Sequence, residues 1–135
     1  MPRFPSLIPA ILAGATLAAP ALADRVPLAQ QSAISDGLIA AAIAYEIGEQ
    51  CDSLEARTLR GLVFLGSLRQ EAQRLGYSSR EIEQYMRDRA EKARLEALAW
   101  ERFAALGGQR GDPASFCAVG RAQIAGQTQI GQLLR

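Results

Sequence analysis

The 135-residue chain contains no histidine. That absence removes the usual general base, the Ser-His and Cys-His nucleophiles and most zinc sites together. What is left for chemistry is two cysteines, Cys51 and Cys117, and carboxylates at close spacing: Glu46 and Glu49, Glu81 and Glu83, Asp88 and Glu91. Two carboxylates flanking one bond can run glycoside hydrolysis. Here each pair stands in helical sequence beside arginines, where solvated ion pairing is the ordinary use. Glu46 differs, because it sits between Ile43 and Ile47 at the edge of an apolar row. It is read either as a carboxylate reaching the rim to meet an arginine or as the acid of a pocket. No glycine-rich phosphate loop follows a strand, since no strand pattern is present. No spacing implies a metal, a cofactor or a catalytic residue.

The N-terminus sets the compartment in which the cysteines act. Arg3 precedes an apolar run from Leu7 to Ala19, and Ala21-Leu22-Ala23 offers the small-x-small site that a signal peptidase reads. Residues 1–23 are therefore expected to be a signal peptide cut between Ala23 and Asp24. The run is shorter than the ~20 apolar residues of a membrane span; an uncleaved anchor or a buried N-terminal helix is the alternative. No cysteine follows the cut directly, so no lipid anchor is indicated. The mature chain is expected to be periplasmic or secreted, without a stable membrane anchor. An exported chain with two cysteines most often pairs them. The loop closed between Cys51 and Cys117 would be about 67 residues, worth roughly 4 kcal/mol in the chain-entropy model. A redox-active pair is the other use of two cysteines, but no C-x-x-C motif is present to lower a thiol pKa.

Charge narrows the partners. Fifteen basic residues face fourteen acidic ones, and losing Arg3 with the leader brings the two signs level. A nucleic-acid binder rewards a basic surface, so nucleic acid is not indicated, and neither is a polybasic membrane patch. Lys92 is the single lysine, an arginine bias that a GC-rich genome produces.

The elements that must position these residues are all helical. A lead-in from Asp24 to Gln31 precedes a first helix, capped by Ser32 or Ser35, with Ile39, Ile43 and Ile47 in one row. A second helix is expected from Asp52 or Ser53 to Leu75, with Asp52 and Glu55 as its capping box. Its Leu62-Val63-Phe64-Leu65 centre, together with Gly61 and Gly66 as points of close approach, suggests the helix on which the others pack. Gly76 ends it in a left-handed position, and Ser78 with Glu81 is a capping box for a long third helix running from Ser79 to about Leu106. Gly107 to Gly111 breaks the chain, and Asp112-Pro113 starts a fourth helix. Thr128 can cap a last short turn ending in Ile130, Leu133 and Leu134. The fold class is all-α: one domain, residues 24–135, of four main helices plus a short C-terminal helical turn.

The C-terminal stretch interleaves glutamines with Ile124, Ile130, Leu133 and Leu134. Such an uncharged amphipathic face either closes the core or docks on a partner, so Ile130, Leu133 and Leu134 form a candidate interaction patch. Beyond these local readings, Cys51-x-Ser53, Gly76-Tyr77-Ser78, Phe116-Cys117-x-Val119-Gly120-Arg121 and Ile130-Gly131-x-Leu133-Leu134-Arg135 together resemble an uncharacterised family. Its members are small exported helical proteins of alphaproteobacteria. The resemblance covers most of the mature chain and implies a fold and a compartment without supplying an activity.

Three functional readings follow. The first is a non-enzymatic module that binds an unknown protein partner of the cell envelope or serves a structural role there. The second is a small periplasmic stress protein or chaperone whose switch is carboxylates titrating around pH 4. The third is a small-ligand carrier or enzyme using an acid such as Glu46, which requires a pocket beside it.

Overall fold

The segment Ser32–Gln50 (α1) is the axis of the molecule. Between Ile34 and Ile47 only Asp36 and Glu46 are charged, so the helix can be surrounded without stranding charges in the interior. Its buried residues include Ile34, Gly37, Ile39, Ala40, Ile43, Ala44 and Ile47, which point to several sides. Ile47 has no exposed surface at all. A helix that is apolar all round is a core helix.

The computed structural model describes residues 25–135; the proposed leader and the cut between Ala23 and Asp24 lie outside them. After a 3-10 turn at Leu28–Gln30 and α1 come Thr58–Arg74 (α2), Ser79–Arg87 (α3), Arg89–Ala105 (α4), Pro113–Ala125 (α5) and the single turn Gln129–Gln132 (α6). The described residues are thus all-α, with one isolated antiparallel bridge between Ala56 and Leu134. The long helices number five rather than the four expected.

The extra helix arises at Asp88. The expected third helix is divided there, because Asp88 leaves helical geometry (ψ 113°) and its carboxylate accepts from the amides of Ala90 and Glu91. An aspartate inside a helical pattern offers the backbone this alternative, and here the new cap prevails. The expected capping box of Asp52 and Glu55 does not form either. The Glu55 and Arg57 amides donate to the carbonyls of Arg135 and Leu133, and Arg135 returns a bond to Glu55. Backbone pairing with the C-terminus overrides the local cap, and α2 begins only at Thr58. By contrast the Ser78–Glu81 box is complete, Gly76 takes φ +95°, Pro113 opens α5 and Thr128 caps α6.

α2 is a flank and not the centre. Its inner side, Phe64, Leu68 and Ala72, meets α1 and the smaller Leu28–Ile34–Tyr77–Ile82 cluster. Leu59, Leu62 and Val63 are 78%, 61% and 69% exposed. Gly61 and Gly66 face open space, whereas Gly37 on α1 is where a neighbour comes close: a Cβ there would stand 2.7 Å from Leu68. The close approaches belong to α1.

One end of the bundle is tied. Cys51, just past α1, is bonded to Cys117 of α5 across a separation of 66 residues. Beside that bridge Gly120 lies so near Leu54 and Ile47 that a Cβ would meet them at 2.5 and 2.8 Å. Phe103 of α4 and Phe116 of α5 pack with centroids 4.4 Å apart, and Trp100 meets both edge-on.

Candidate functional site

α4 runs alongside α1 in the same sense. Arg94 donates to the carbonyl of Ala29, just ahead of α1, and Arg102 pairs with Asp36 at 2.7 Å. Ala42 of α1 and Ala99 of α4 both line the space between the two helices, and side chains this small leave volume there. The result is a groove of about 600 Å³ whose floor is Leu38, Ile39, Ile43 and Leu95. Tyr85 and Met86 of α3 line it, as do Trp100 and Phe103 of α4. Size and lining fall in the range of ligand and peptide sites.

Its polar groups lie along the edge. Glu46, Lys92 and Glu96 line the groove with the exposed Tyr45 and Met86. Among the described residues neither Glu46 nor Glu96 has an ion pair, so the arginine expected to meet Glu46 is not there. The carboxylate of Glu91 is engaged instead. Arg94 bonds it at 2.8 Å through Nε, and this bond holds Glu91 below the usual carboxylate range. The Tyr85 hydroxyl is buried and makes no hydrogen bond of good geometry, although Glu91 and Ser35 lie beside it. Burial first, and then the neighbouring Glu91 carboxylate, push its phenol up to about 12. Tyr85 is therefore neutral at any physiological pH. The sole tryptophan of the chain, Trp100, lines the groove with the Arg110 guanidinium 4.0 Å over its ring. The groove is thus apolar inside, with charges of both signs, Glu46, Glu96, Lys92 and Arg110, around it.

The other sequence candidates resolve as follows. Cys51 and Cys117 are joined. Ile130, Leu133 and Leu134 are buried in the main core and are not a surface patch. The Thr128 cap turns the chain back and the Glu55–Arg135 pairing pins its end, so these side chains face inward. Glu81 bonds Ser78 and Arg25, Glu83 pairs with Arg69, and Asp88 is spent on its cap. Ser78 above all, through its backbone amide and hydroxyl, holds Glu81 below its ordinary pKa. Among the described residues no group of three or more Cys, Asp or Glu side chains converges as a metal site. Glu46 beside its apolar row was the sequence signal for the groove. The α4 half gave none, because which face of α4 meets α1 depends on the break at Asp88.

Fold and groove define a small helical module, stapled at one end and open along one flank. A family model described as a family of unknown function, DUF5333, matches residues 26–135, and the chain belongs to that family. No curated protein and no solved structure matches it.

Proposed function

We propose that the protein is an exported, non-enzymatic binding module whose α1–α4 groove receives the apolar face of a helical segment from a protein partner. The observation that carries this is an apolar groove of about 600 Å³ edged by Glu46, Lys92 and Glu96, whose two carboxylates have no ion pair among the described residues. Helix-in-groove recognition needs an apolar floor for anchors spaced three and four apart. A basic residue of the incoming helix would answer Glu46. The chain has no histidine to serve as a general base beside the groove. Export is supported by the Cys51–Cys117 bond, which persists in oxidising compartments, and by the apolar N-terminal run. Among the described residues no helix is long and apolar enough to cross a membrane. An acid-driven chaperone would have to protonate Glu81 and Glu91, both held below the ordinary range.

Trp100 supplies the test. Its emission is followed while an amphipathic Leu-Ala-Lys helical peptide is added, and then its Glu counterpart. The Lys peptide is expected to shift the emission saturably, with Glu46→Lys weakening it by about tenfold, which is 1.4 kcal/mol. Ala42→Trp, which fills the groove, should abolish it. No response to either peptide, or an unchanged affinity in Glu46→Lys, would remove the groove as the binding site.

A further inference from the structure

The α1–α4 groove has a direction. Its two walls run in the same sense. Along them α1 lines the groove from Leu38 to Glu46, and α4 lines it from Glu91 and Lys92 to Phe103. Lys92 therefore stands at one end, while Glu46, Trp100 and Phe103 stand toward the other. Charge follows this order. Glu49, one turn past Glu46, adds a second acid, and Arg89, one turn before Lys92, adds a second base. None of these four has an ion pair among the described residues. The acids at the Lys92 end are already engaged, Glu91 by Arg94 and Asp88 by the first amides of α4. Arg110, the cation toward the Glu46 end, lies over the Trp100 ring, and Glu96 falls between the two ends.

The backbone adds to the same polarity. Helices that run in one sense align their macrodipoles, so α1, ending at Gln50, and α4, ending at Ala105, both bring partial negative charge to the Glu46 end. Given the groove as the binding site, we infer that the partner helix lies antiparallel to α1 and α4, its N-terminus at Glu46 and its C-terminus at Lys92. Its positive end then meets the acids and the two carbonyl ends, and its own carbonyl end meets Lys92 and Arg89. The occupant this selects has basic residues in its first turns, acidic residues in its last, and apolar anchors between them. The reverse direction sets three carbonyl ends together at Glu46.

Two peptides of one composition decide it. Both are amphipathic Leu-Ala helices, one with Lys in its first turns and Glu in its last, the other reversed. With the disulfide-intact protein, the Lys-first peptide should bind about tenfold more tightly by Trp100 emission. The double variant Glu46→Lys, Lys92→Glu should invert that order. Trp100 also reads the direction, because it is the sole tryptophan and lies toward the Glu46 end. A nitroxide on the first residue of the Lys-first peptide should quench it strongly. One on the last residue, ~27 Å away in a helix of ~18 residues, should leave it bright. Equal affinity of the two peptides, a preference that the double variant does not invert, or quenching from the last residue instead would overturn the orientation and leave the groove as the binding site. Binding of neither peptide would remove the groove, and the orientation with it.

Discussion

α1 and α2 are helices of similar length, 19 and 17 residues, packed side by side, and they are used in opposite ways. α1 is enclosed, with Ile39, Ile43 and Ile47 buried and neighbours close against Gly37 and Gly48. α2 presents leucine and valine to solvent and leaves both its glycines open. An apolar centre therefore does not make a helix central. What decides is the charge it must keep wet. α2 carries Arg60, Arg69, Glu71 and Arg74 with Gln70 and Gln73, too many polar groups to surround at a tolerable desolvation cost. α1 has only Asp36 and Glu46 between its first and last buried isoleucines, each at an edge.

The largest effect should come at the tied end of α1. Replacing Cys51 and Cys117 together by Ser is expected to lower unfolding stability by about 4 kcal/mol in urea denaturation. A loss under about 1 kcal/mol would mean that the α1–α5 junction holds without its staple. Next, Ile47→Ala should cost about 2–5 kcal/mol as a cavity in the core, whereas Leu62→Ala on α2 should stay within about 0.5 kcal/mol of the parent. Equal losses at the two positions would erase the distinction between the helices. A finer version uses glycine. A Cβ at Gly48 would stand 2.7 Å from the Ala56 backbone nitrogen, so Gly48→Ala should destabilise by roughly 1–2 kcal/mol. Gly66→Ala meets nothing and should stabilise by about 0.5–1 kcal/mol through helix propensity.

The smallest effects are at the groove. Tyr85→Phe removes a buried hydroxyl without a good partner and should change neutral-pH stability by under about 1 kcal/mol in either direction. The folded phenol is raised to about 12 from 10, so the folded state keeps its proton where the unfolded chain loses it. Its contribution is complete below pH 10 and is lost as pH rises toward 12. Thermal scans across that window should therefore fall more steeply for the parent than for Tyr85→Phe. Glu91 acts with the opposite sign. Its lowered pKa contributes stability above the ordinary carboxylate range, lost as pH falls through the folded value. Glu91→Gln should flatten the acid limb of the same scans.

The features legible in the sequence were those settled within a few residues. Ser78 with Glu81, Gly76, Pro113 and Thr128 do what their types dictate. The Cys51–Cys117 pairing was also legible, because two cysteines leave one intramolecular choice. What failed was decided at a distance. Glu55 gave up its capping role to pair with Arg135, eighty residues on. Asp88 was hidden because apolar periodicity holds on both sides of it. Ile130, Leu133 and Leu134 have the same composition as a surface patch, and only the Thr128 turn decides that they face inward. Half of the groove was visible through Glu46; the other half required the docking of α4.

Native-state hydrogen exchange across α1 and α2 tests the arrangement most directly, since it reads each helix in the unmodified protein. The amides from Ile39 to Ile47 should exchange only through global unfolding, with the same free energy as denaturant melting. Those from Leu59 to Gly66 should exchange through a smaller local opening, insensitive to denaturant at low concentration. Protection of α2 equal to or above that of α1 would contradict a core built around α1 and return α2 to the centre of the molecule.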